Sequence, residues 1–132
     1  HIETGGMLFA DACCGKKEFD EAFRDMAKKL YPDKKLEIIP EDDLLYSEKL
    51  TGEAIRTLRC RTEKEDGSAN EKFIEIKPQL EGIKIDGRWV VIYSRYDIGC
   101  ALEKNKSSAC LGYHPDDAAR VASAALMYSL RK

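Results

Sequence analysis

Apolar residues fall along the chain in short blocks whose period changes several times, and each change marks an element. Met7-Leu8-Phe9-Ala10 is an apolar run bounded by Gly5-Gly6 and Asp11, which suits a strand covered on both faces. The glycine pair also supplies the left-handed residue that ends helices, so His1 to Gly6 reads as the tail of one. From Lys17 the period becomes helical: Phe19, Ala22, Phe23, Met26, Ala27 and Leu30 recur at three- and four-residue steps. This predicts an amphipathic helix with those six residues inward, stopped by Tyr31-Pro32. Leu36 to Ile39 is a second short strand, stopped by Pro40. Two strands joined by a helix form a βαβ unit, expected to be parallel and right-handed.

The middle of the chain is more polar. Glu41 to Thr51 reads as a loop with one helical turn anchored by Leu44-Leu45-Tyr46. Ile55 to Cys60 and Phe73 to Ile76 alternate apolar and charged residues, as half-exposed strands do. Glu63 to Lys72 is the loop between them. Leu80 to Ile85 and Trp89 to Tyr93 flank Asp86-Gly87, a pair suited to the two positive-φ positions of a tight hairpin. Val90-Val91-Ile92 marks a central strand buried on both sides. Pro115 begins the last helix, with Asp116 and Asp117 in its first turn and Ala118, Val121, Ala122, Ala125, Leu126 and Ser129 on its inward face. The expected architecture is one α/β domain over residues 1–132, a three-layer, mostly parallel sheet with an added antiparallel hairpin.

Composition narrows the function classes. The 132 residues carry 22 Lys plus Arg against 24 Asp plus Glu, a formal net charge of −2. That excludes a strongly basic nucleic-acid binder. No apolar run approaches the roughly 20 residues of a membrane-spanning helix. Five cysteines, with no CxxC and no repeated Cys/His pair, argue against both a closed disulfide framework and a structural zinc site. A start at His1 with no leader reads as a processed chain or a fragment, which leaves the compartment open.

Parallel strands place chemistry at their carboxyl ends, and two loops should meet there. Asp11-Ala12-Cys13-Cys14-Gly15-Lys16 follows the first strand, and Ser94-Arg95-Tyr96-Asp97-Ile98-Gly99-Cys100 follows the Trp89 strand. The first has the form of a nucleophile turn: a sharp strand-to-helix bend, a glycine that relieves crowding, and a helix amino terminus that favours a thiolate. Cys13 fits the exposed position and Cys14 is its neighbour. A thiol nucleophile needs a base, and His114, just before the last helix, is the candidate. Small residues filling a tight turn and a helix-flanking histidine are the plainer alternatives. Asp11, Cys13, Cys14, Asp97 and Cys100 could together hold a soft divalent metal, or Cys14 and Cys100 could pair if their Cα atoms come within roughly 7 Å. Asp11 and Asp97 are equally suited to capping turn or helix amides. The lysine pairs at 16–17, 28–29 and 34–35 read as solvated faces, and Lys104 to Ser108 as a surface loop over the same edge.

Several stretches carry a resemblance: Gly5 through Gly15, Phe19 to Phe23, Leu80 to Ile83 with Asp86-Gly87-Arg88, and Ile92-Tyr93-Ser94 with Asp97-Ile98-Gly99-Cys100. They resemble, in order and over most of the chain, the bacterial domain-of-unknown-function family numbered 4159. That family is similar to class I glutamine amidotransferase-like and trehalose-utilisation-like folds, so the resemblance implies a flavodoxin-like sheet truncated at the N-terminus. It implies that this chain is the C-terminal part of a larger amidotransferase-like domain, with a strand and a Gly-His loop upstream. It also implies a nucleophile elbow at Cys13, although no Cys-His pairing with a following acid accompanies it.

Three functions compete on these residues. A small-molecule or partner-binding module, part of a larger envelope-associated protein, would use Asp11, Cys14, Gly15, Asp97 and Cys100 as its binding edge. A Cys-dependent hydrolase or amidotransferase-like enzyme would use Cys13 with His114. A purely structural domain would use neither. The residues name no cofactor. If the first strand lacks a second neighbour, an exposed sheet edge favours a homodimer or a marginally stable monomer.

Overall fold

In the computed structural model the described residues are 6–12, 17–62, 64–66, 72–102 and 112–131, with the side chains of residues 100 and 101 excepted. Six strands and four helices follow in the order β1 (Leu8–Asp11), α1 (Lys17–Leu30), β2 (Glu37–Ile38), α2 (Glu48–Thr51), β3 (Leu58–Cys60), β4 (Ile74–Ile76), β5 (Glu81–Ile85), β6 (Arg88–Ser94), α3 (Gly99–Leu102) and α4 (Pro115–Ser129). A 3-10 turn at Leu44–Tyr46 precedes α2.

The main sheet has the order β1-β6-β5-β2, and β3 and β4 form a separate antiparallel pair. β1 pairs with β6 in parallel, Leu8 opposite Val91 and Asp11 opposite Ser94. The other two pairings, β6 with β5 and β5 with β2, are antiparallel. This corrects the mostly parallel, three-layer flavodoxin-like sheet expected from the sequence: the sheet is mixed and mostly antiparallel. Three features of β6 explain the outcome. It is seven residues long, nearly all buried, and tied to β5 by the Asp86-Gly87 turn, whose φ values of 52° and 77° suit a tight hairpin. β6 thus takes β1 and β5 as its two neighbours, and β2 pairs on the outer flank of β5. Both β2 residues are exposed, Ile38 at 67%, so this is an edge strand and not a core one.

One irregularity organises the core. Lys84 pairs with Trp89 and Ile83 with Val91, so Val90 is an extra residue in β6. The bulge lets Val90 and Val91 share one face with Tyr93, where α1 supplies Phe23 and Ala27. Trp89 and Ile92 then share the opposite face with Ile98, Tyr113, Ala118, Val121 and Ala124. The Trp89 indole crosses Gly82, and its Nε1 donates to Asp43 at 3.0 Å.

The two long helices differ from the faces read in the sequence. On α1 only Asp20, Phe23 and Ala27 are buried, while Phe19, Met26 and Leu30 are 40%, 41% and 58% exposed. Polar contacts set this rotation. Tyr93 donates to Asp20 at 2.8 Å, its ring stacks on Phe23 at 4.1 Å, and Arg24 grips Glu81 of β5 through two bonds of 3.0 and 2.6 Å. On α4 the buried face is Asp117, Ala118, Val121, Ala124, Ala125 and Tyr128, with Leu126 exposed. The Tyr128 hydroxyl accepts from the Trp89 amide at 3.0 Å. Among the described residues β1 pairs on one side only.

Candidate functional site

Because β1 and β6 run parallel and in register, the chain leaves both strands at the same sheet edge. The Ala12 amide donates to the Ser94 carbonyl at 2.9 Å and extends the pairing one residue past β1. Cys13, Cys14 and Gly15 follow and lie outside the described residues.

The Asp11 side chain reaches the loop after β6. Its Oδ2 accepts the Ile98 amide at 2.7 Å and the Gly99 amide at 3.1 Å, capping the single turn of α3. Asp97 is 3% exposed, and its backbone carbonyl accepts the Tyr113 amide at 3.3 Å. The two carboxylates converge on Gly99: the position a Cβ would occupy there lies 3.6 Å from Asp97 Oδ1 and 4.0 Å from Asp11 Oδ2. A side chain at residue 99 would thus stand between them. The structure therefore brings Asp11 and Asp97 together, in support of backbone. Cys100 follows Gly99 within α3, which places its backbone one residue from an amide that Asp11 holds.

His114 is the N-cap of α4. Its Nδ1 accepts the Asp116 amide at 3.2 Å, and its ring meets Phe73 edge-on at 5.1 Å. The cap uses the Nδ1 lone pair, so the neutral ring carries its proton on Nε2. In that tautomer the second nitrogen is a donor, and a proton-accepting role at Nε2 would require the ring to leave the cap.

Beneath the edge lies a polar cluster that residue spacing did not reveal. Ser94, fully buried, donates to the Tyr96 carbonyl at 2.8 Å and is hydrogen-bonded to the Tyr113 hydroxyl at 3.3 Å. Burial pushes the Tyr113 hydroxyl well above its ordinary value. Burial likewise pushes the Cys60 thiol up, against a hydrogen bond with Tyr96 that acts in the other direction. These groups stay neutral at neutral pH and form a floor, not a nucleophile. Gly112 is required beside them, since a Cβ there would come within 2.7 Å of the Asp97 carbonyl oxygen. The Ser94-x-Tyr96-Asp97 spacing after a buried strand was the available signal, but Tyr113 reaches it only through the fold.

A single buried carboxylate between two arginines holds α4 to β3. Asp117, 3% exposed, accepts the Arg59 amide at 2.7 Å and Arg59 Nε at 3.0 Å, with Arg120 at 3.3 Å. Among the described residues no group of three or more His, Cys, Asp or Glu side chains is placed to hold a metal ion. Among them, too, no helix is long and apolar enough to cross a membrane.

Comparison with known proteins gives one match. The family model of a domain of unknown function, DUF4159, matches residues 1–130. No curated protein and no solved structure matches the chain.

Proposed function

We propose, for a chain that belongs to the DUF4159 family of domains of unknown function, a binding module whose ligand edge lies where β1 and β6 end. Asp11, Cys14, Gly15, Asp97 and Cys100 are the residues assigned to its rim. One observation carries this reading: the hydrogen bonds from Ile98 and Gly99 to Asp11, which tie the end of β1 to the loop after β6. Rims held by backbone bonds before a ligand arrives lose little freedom on binding, and that favours affinity.

Two details favour binding over catalysis. Asp11 spends its Oδ2 on amides, and His114 spends its Nδ1 on a helix cap, so neither supplies a free base. The ligand is a small molecule or a partner segment.

Iodoacetamide labelling of the chain near pH 7, read by peptide mass spectrometry, combined with a fragment library followed on backbone amides, tests the reading. The expected result is slow labelling at Cys13, slowed further by fragments that shift the Ile98 and Gly99 amides. Fast labelling lost only in Cys13→Ser would replace the binding module with a thiol enzyme. Slow labelling with no fragment acting on that edge would leave a structural domain.

A further inference from the structure

A second concave site lies away from the rim and shares no residue with it. A cavity of about 350 Å³ opens between the last turns of α1 and the start of β2, lined by Arg24, Ala27, Lys28, Lys34, Lys35 and Leu36, with Pro32 at its mouth and Ile83 of β5 at its base. The sequence builds it simply. Pro32 stops α1, and the turn that follows, with the Lys34 amide donating to the Tyr31 carbonyl at 3.1 Å, brings Lys34 and Lys35 back beside Lys28.

Two properties separate this cavity from an ordinary solvated lysine face. The first is its base: Ala27 and Ile83 are buried and Leu36 is half-buried, so the cations surround apolar surface and not bulk water. The second is its charge. Arg24 is held by Glu81 and Asp20, both within 3.0 Å, so it serves as a wall whose one cation and two carboxylates sum to −1. Lys28, Lys34 and Lys35 line the cavity, are exposed, and make no ion pair with any described residue. Three lysines against that single excess negative charge leave the lining net positive, and an anion among them is attracted by it. Proximity of Lys28 to the carboxyl end of α1 accounts for one of the three cations, but not for the two on the turn or for the apolar base.

The geometry points to a binding site for an oxyanion carried on a short apolar body: the head among Lys28, Lys34 and Lys35, the body on Ala27, Leu36 and Ile83. The volume is at the small end of ligand sites and suits a single compact molecule. The head is a carboxylate or a phosphate monoester, which lysines recognise alike as point charges.

The test titrates the chain with octanoate and octyl phosphate below their micellar concentrations, and with acetate and inorganic phosphate as heads without bodies, following backbone amides. Saturable shifts at Ala27, Leu36 and Ile83 are expected for at least one eight-carbon ligand, at least about tenfold tighter than for its bare head. Whichever eight-carbon ligand binds more tightly identifies the head. The triple variant Lys28→Gln, Lys34→Gln, Lys35→Gln changes only exposed side chains and should weaken binding about tenfold with the amide spectrum otherwise retained, while Lys49→Gln on α2 should not. Equal affinity for head and eight-carbon ligand, indifference to the triple variant, or the absence of saturable shifts would each overturn the proposal. So would binding to anionic phosphatidylglycerol vesicles without binding to monomeric octyl phosphate, which would assign the patch to a membrane surface.

Discussion

Trp89 lies so close over Gly82 that a Cβ on the glycine would stand 2.7 Å from the indole Cε3 and 2.6 Å from the Val91 carbonyl oxygen. The indole is a flexible neighbour, whereas the carbonyl belongs to the paired backbone of β6. Gly82→Ala must therefore displace the strand or the ring. A loss of about 2–3 kcal/mol is expected in urea unfolding, the upper part of the range for overpacked cores. An unchanged midpoint would mean that the hairpin yields more easily than its register suggests.

Asp11→Ala removes the acceptor for two amides of the loop after β6. The expected cost is about 1 kcal/mol, as for loss of a helix N-cap, with faster hydrogen exchange at Ile98 and Gly99 and little change at the β5–β6 pairing. Asp11→Asn keeps one side-chain oxygen and should recover most of the protection. Uniformly faster exchange across the sheet would show that Asp11 supports the whole fold and not the rim.

Stability should fall with acid, and the direction follows from two carboxylates. Burial alone pushes Asp20 up, but Arg24 and Tyr93 outweigh it and hold the carboxyl below its ordinary value of 3.8. Burial also pushes Asp117 up, and Arg59 and Arg120 outweigh that in the same way. A carboxylate with a depressed folded-state pKa adds stability that is complete above its unfolded value and fades as pH drops through the folded one. Urea midpoints should hold from pH 7 to about 5 and decline below about 4. Asp117→Asn should flatten that decline while costing about 2 kcal/mol at neutral pH, read at the same midpoints.

Cys60 offers an internal standard for thiol chemistry. Burial raises its pKa and closes access, so it should resist iodoacetamide in the folded chain near pH 7 and react fully in urea. Labelling of Cys60 under native conditions would indicate local opening of the β3–β4 pair.

Much of the local structure was legible because it depends on neighbours in sequence. The helical period from Phe19 and the Tyr31-Pro32 stop mark α1, and Asp86-Gly87 fixes the hairpin with the positive φ values that pair accommodates. Strand neighbours were less legible. Leu36 to Ile39, three apolar residues around Glu37, is too short to reveal a two-residue exposed edge strand beside β5. The inward face of α1 was misjudged for a related reason: Asp20 and Arg24 read as solvent residues until Tyr93 and Glu81, distant in sequence, claim them. At the rim, the sequence marked Asp11 and Asp97 as either ligands or caps, and the fold makes Asp11 a cap. The cluster of Ser94, Tyr96 and Tyr113 needed the isolated pairing of Asp97 with Gly112 to exist at all.

The central strand acquires its two partners on unequal terms. β5 is joined to it by two residues and can zip up within microseconds, whereas Leu8 must find Val91 from most of a chain length away and bear the larger loop-closure entropy. The rim does not exist in a partly folded chain that holds only the hairpin; it is completed when β1 docks. A ligand at the proposed rim would consequently gauge complete folding and would stabilise the fully assembled chain alone. Substitutions in the core of α4 or β5, remote from any rim atom, should weaken apparent affinity simply by depleting the population in which β1 is seated.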